Sequence, residues 1–127
     1  MNTQELITEQ QPPTKNDNPH SWDLVIDDVI ADMKHVGGIQ HSIETFNHTI
    51  EIMKARDKEG VRKHGVHLQP GNGRDQLIDS LQEALDLVCY LRTYLYGREY
   101  SLANSLYLSA KSMVYDLVKL LEQTTKE

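Results

Sequence analysis

Three features of the sequence predict an all-α fold, a four-helix antiparallel bundle. Apolar residues recur at helical spacing in four separate stretches. No stretch of useful length alternates with period two. The breakers between the stretches leave short connections, which make consecutive helices antiparallel neighbours. A length of 127 residues is that of one domain.

Residues 1–20 come first and are polar, with Pro12, Pro13 and Pro19 and only Leu6 and Ile7 apolar nearby. Such a composition buries too little to offset chain entropy, so a disordered N-terminal arm is expected, followed by a single helical domain over 21–127. Ser21 is the expected N-cap of the first helix, whose stripe is Trp22, Val25, Ile26, Val29, Ile30 and Met33, with Gly37-Gly38 as its stop. The second helix, over about 40–63, carries Ile43, Phe46, Ile50, Met53 and Val61. Pro70, Gly71 and Gly73 break the loop that follows. The third helix runs from about Asp75 to Tyr96 and is stopped by Gly97. Ser101 caps a fourth, with Leu102, Leu106, Met113, Leu117 and Leu120 on its main side. Tyr107, Leu108, Tyr115 and Val118 lie off that side, and this extra apolar area points to a homodimer or homotetramer.

Composition excludes several classes. Thirteen Lys and Arg against 19 Asp and Glu give a net charge of -6, which disfavours sequence-independent nucleic-acid binding. No run of 18 apolar residues exists to span a membrane. The lone Cys89 allows no intrachain disulfide and no cysteine zinc cage, and it falls on the helix interior side with no basic neighbour to activate it. The polar N-terminus lacks the pattern of a signal peptide, so a cytoplasmic protein is expected. The six histidines are scattered; His64 and His67 share a loop but match no metal spacing, and they are read as surface residues.

The third helix carries the chemistry. With Asp75 at 0°, Asp86 falls at about 20°, Asp79 at about 40° and Glu83 at about 80°, with no Lys or Arg among them. Like charges at this spacing cost about 0.2–0.5 kcal/mol per pair. Asp75 is favoured by the helix dipole, but the other three are not. A hard divalent cation, Mg²⁺ with Mn²⁺ as its substitute, would relieve them. The stripe also reads as a solvated face, because Leu77, Leu81, Ala84, Leu85, Val88 and Leu91 centre opposite it. Arg92 lies inside the apolar arc, so it either snorkels or reaches a buried carboxylate. Asp57, within the apolar stripe of the second helix, is such a carboxylate, either ion-paired or a metal ligand. Lys54, Arg56, Lys58, Arg62, Lys63, His64 and Arg74 cluster in sequence as candidate phosphate contacts. The loop Pro70-Gly71-Asn72-Gly73 reads either as an anion-binding turn of backbone N–H groups or as a plain helix-start loop.

From about Lys54 to Leu95 the chain resembles the MazG-like all-α nucleoside triphosphate pyrophosphohydrolases, particularly small phage-type members. The carrying residues are Glu83-x-x-Asp86 followed by Leu-Val-Cys-Tyr-Leu, together with RDKEGVRKHG upstream. The resemblance implies Mg²⁺-dependent hydrolysis of a nucleoside triphosphate to monophosphate and pyrophosphate. It implies Glu83 and Asp86 as catalytic metal ligands, Asp79 and Asp57 as further ligands, and Lys58, Arg62 and Arg74 as phosphate contacts. No Glu-x-x-Glu precedes this motif at the family's distance. The rival class is a non-catalytic helical module that binds a nucleotide or a protein partner.

Overall fold

The computed structural model describes residues 2–35 and 41–124. They form five helices: α1 (Thr3–Ile7), α2 (Ser21–Lys34), α3 (Ile43–His64), α4 (Gln76–Leu95) and α5 (Ser101–Thr124). No strand occurs among the described residues, so the fold is all-α. No described helix is long and apolar enough to cross a membrane. The chain divides into two compact units, one of Met1–Gln10 with Asp75–Glu127 and one of Gln11–Arg74.

The first unit is built on the α4–α5 hairpin. Asp75 caps α4, its carboxylate accepting from the N–H groups of Leu77 (2.9 Å) and Ile78 (3.2 Å), two of the donors a helix start leaves without partners. Gly97 turns the chain after α4 with φ +72, a conformation that costs other residues a steric clash. Ile78, Leu81 and Leu121 form the core, with Leu6, Leu77, Val114, Leu117 and Val118 packed against them. The packed side of α5 thus includes Ala110, Val114, Leu117, Val118 and Leu121. Of the residues expected to form its main stripe, Leu102, Leu106, Met113 and Leu120 are exposed. Leu85, expected on the apolar side of α4, and Cys89, expected on the interior side, are also exposed.

The N-terminal segment of this unit lies against α4. The Gln82 amide donates to the carbonyls of Leu6 (3.0 Å) and Thr8 (3.1 Å). Gln10 donates to the Asp75 carbonyl (3.0 Å) and to Asp79 Oδ1 (2.8 Å), and its Oε1 accepts from the Asp75 N–H (2.7 Å).

The second unit pairs α2 with α3. His20, one residue before the expected Ser21, is the N-cap of α2, and Ser42 caps α3 by accepting from the Thr45 N–H. The Gly37-Gly38 stop lies outside the described residues. Residues 14–18 bind the loop over 69–72. Gln69 Nε2 donates to the carbonyls of Asn16 (2.9 Å) and Asn18 (2.8 Å), while its Oε1 accepts from the Asn16 N–H (3.2 Å). The Asn72 carbonyl accepts from the Thr14 N–H (2.9 Å) and hydroxyl (3.0 Å). Asn16 and Asn18 both donate to the Pro70 carbonyl at 2.9 Å. The expectation of a disordered arm over 1–20 therefore gives way, for residues 2–20, to a segment seated by hydrogen bonds. Composition tallies the apolar surface the segment can bury, and these partners are polar.

Candidate functional site

The acidic stripe of α4 is divided by its surroundings. Asp75 is committed to the helix cap, and Asp79 accepts from the Gln10 amide. Glu83 and Asp86 are exposed and form no ion pair among the described residues. Their face is not a purely solvated one, because Leu87, Tyr90 and Tyr94 are exposed on the same side of the helix. Oxygen donors on one helix suit Mg²⁺ by chemistry. Among the described residues, however, no three His, Cys, Asp or Glu side chains converge so as to hold a metal ion. As they stand, these residues do not fit a preformed metal centre.

In the second unit, Asp57 is satisfied within its own surroundings. Its side chain is only 17% exposed, and Oδ1 lies 2.8 Å from Nδ1 of His67, while His67 is 38% exposed. His67 stacks on His20, with ring centroids 3.8 Å apart and planes 12° from parallel. His20 Nδ1 lies 3.8 Å from Asp23 Oδ2. Asp57 thus has a histidine partner, where sequence reasoning offered Arg92 or a metal. His67, read as a surface residue, is part of a three-element cluster joined by the bond from the Ser21 N–H to the Leu68 carbonyl (2.8 Å). Sequence reasoning missed it because the available signal, an acid on a helix stripe with a histidine ten residues later, carries no recognised spacing.

The expected phosphate contacts are differently engaged. Arg62 grips Glu59 through two hydrogen bonds, one at 2.9 Å from Nε, and this contact lowers the Glu59 carboxyl pKa and raises that of Arg62. Arg74 Nη1 donates to the Gln11 carbonyl at 2.6 Å. Lys58 is exposed. The loop carrying Gly71 and Gly73 uses its carbonyls to hold Thr14, Asn16 and Asn18. A Cβ on Gly71 would come within 3.2 Å of Asn18 Nδ2, on top of its positive φ of 71.

The outer side of α5 carries an extended exposed apolar stripe. Leu102 is 75% exposed, and Leu106, Met113 and Leu120 follow it at four-, seven- and seven-residue steps, a spacing that keeps them on one side of the helix. The stripe runs about 27 Å at 1.5 Å per residue. A shallow groove of about 480 Å³ opens along it, lined by Ser109, Ser112, Met113, Asp116, Leu117 and Leu120. No protein-family model, curated protein or solved structure matches the chain.

Proposed function

We propose that the protein is a helical interaction module that assembles with a second copy of itself through the outer stripe of α5. The observation that carries this reading is an imbalance. Eighteen large hydrophobic residues are exposed and only seven hydrophobic residues are buried among those described. A chain of this size buries a modest fraction of its surface alone, and self-association is a common remedy. A continuous apolar stripe with polar borders marks an interface more strongly than scattered apolar residues do. Ser109 and Ser112 leave room for a partner's Leu or Met side chain, and the isologous contact of a twofold dimer needs only one self-complementary patch. Asp116 and Lys119, both exposed, offer opposite charges at the border. The all-α fold would be of the MazG-like type, in a cytoplasmic protein.

Sedimentation equilibrium at micromolar concentration tests this reading. The wild type is expected as a dimer, and Leu106→Glu with Met113→Glu as a monomer with an unchanged helical circular dichroism spectrum. A monomeric wild type would overturn the assignment.

A second reading is favoured by Glu83 and Asp86, two adjacent carboxylates without cation partners. It is the hydrolysis of a nucleoside triphosphate to monophosphate and pyrophosphate, with Mg²⁺ or Mn²⁺ recruited by Glu83 and Asp86 together with the nucleotide. Pyrophosphate release from a panel of deoxynucleoside triphosphates tests it. Activity lost in both Glu83→Gln and Asp86→Asn supports it, and turnover unchanged by either substitution removes it.

A further inference from the structure

We propose that the cleft at the α4–α5 turn binds a small aromatic oxyanion, a planar ring carrying a phosphate or carboxylate group. The cleft has a volume of about 690 Å³, within the range of about 300–1,000 Å³ typical of small-molecule sites. Two of the chain's five arginines, Arg92 and Arg98, and three of its six tyrosines, Tyr96, Tyr100 and Tyr107, line it. Glu99 is the only acid among the lining residues. In a chain of net charge -6 this is a local excess of positive charge.

The two arginines arrive there for different reasons. Arg98 is held in place: Nη1 donates to the Tyr94 carbonyl at 2.6 Å, and its guanidinium carbon lies 4.9 Å from the Tyr94 ring centroid. Tyr94 in turn stacks with Tyr100, centroids 6.0 Å apart. Arg92 belongs to the apolar arc of α4 by sequence, yet it is exposed and forms no ion pair among the described residues. A guanidinium presents paired N–H donors that match the oxygens of a phosphate or carboxylate. Tyrosine rings beside it supply faces on which a planar ligand stacks, with the hydroxyls left to reach solvent or ligand. Ser101 and Asn104 add hydrogen-bonding groups on the α5 side. Ring and oxyanion are thus both recognised, which neither the arginines nor the tyrosines would achieve alone. The cleft shares no lining residue with the α5 groove, so this inference is independent of the assembly reading.

Titration of the full chain, followed by amide chemical shifts and calorimetry, tests the proposal with phenyl phosphate, benzoate, inorganic phosphate and phenol. Phenyl phosphate or benzoate is expected to saturate the shifts of Gly97, Ser101 and Asn104, and their ranking identifies the preferred oxyanion. Inorganic phosphate and phenol are expected to bind at least about tenfold more weakly. Arg92→Gln is expected to weaken binding roughly tenfold without changing the melting temperature, because the side chain is exposed and unpaired. Tyr100→Leu should weaken phenyl phosphate more than inorganic phosphate. No saturation by either aromatic anion at on the order of 10 mM would overturn the proposal, as would equal affinity for phenyl phosphate and inorganic phosphate, or wild-type affinity in Arg92→Gln.

Discussion

The seam between residues 14–18 and 69–72 and the outer side of α5 reverse the usual distribution of polar and apolar residues. In the seam, Gln69 is 3% exposed and Asn72 1%, while on α5 Leu102 is 75% exposed. The seam is stable in that form because the Gln69 side-chain amide and the Asn72 carbonyl meet hydrogen-bond partners on the chain segment that covers them. A buried amide so satisfied carries no large penalty, whereas an unsatisfied one costs about 1–3 kcal/mol. On α5 Leu102, Leu106 and Leu120 are exposed among the described residues, so the free energy of burying them is not realised there. The seam ties two segments of the chain together, and the α5 stripe stays exposed.

The largest effect is expected at Gln69. Replacement by alanine removes three hydrogen bonds and leaves the Asn16 and Asn18 carbonyls without this donor. A loss of about 2–4 kcal/mol is expected by urea unfolding, together with faster hydrogen exchange at the Asn16 amide. Unchanged exchange there would mean that the segment is not held by this residue. A smaller effect is expected for His67→Ala. It strips Asp57 of its imidazole partner, and a charged hydrogen bond of this kind is worth about 1.5–3 kcal/mol, reduced here because His67 is partly open to solvent. Chemical denaturation reads this directly, and Asp57→Asn should cost a comparable amount if the pair acts as one.

The smallest effect belongs to the Glu59–Arg62 pair on the surface of α3. The hydrogen bond from Arg62 lowers the Glu59 pKa, so the pair's contribution is present above the ordinary glutamate pKa and is lost as pH falls through the lowered one. Both groups are fully exposed to solvent screening. Thermal melts of Glu59→Gln at neutral pH should match wild type within error. A drop of several degrees would show that the pair supports more than its own helix.

The sequence makes the helices legible and their outward faces less so. Asp75 before an apolar-periodic run and Gly97 after it bracket α4 because capping and left-handed turns are local chemistry. Ser101, expected as the cap of α5, is instead its first helical residue. Which side of α5 packs is a tertiary matter. Two apolar arcs compete, and the packed one includes Ala110, whose small side chain allows close approach of a neighbouring helix. Periodicity favoured the arc with the larger residues and so pointed to the exposed one. The arm escaped for a related reason: its docking depends on amides and carbonyls matched over more than fifty residues of separation, which no composition reveals. At the candidate site, sequence reading found the unpaired Glu83 and Asp86 but not the partner of Asp57, because His67 reaches it from a loop.

The assembly reading rests on the outer stripe of α5, and a cysteine there tests it most directly. In a Cys89→Ser background, Met113→Cys is expected to give a disulfide-linked dimer on mild oxidation, at a yield independent of dilution over the range where the dimer persists. Lys58→Cys, exposed on α3, serves as the control and should crosslink only slowly and in proportion to concentration. Equal crosslinking at both positions, or none at position 113, would contradict the account.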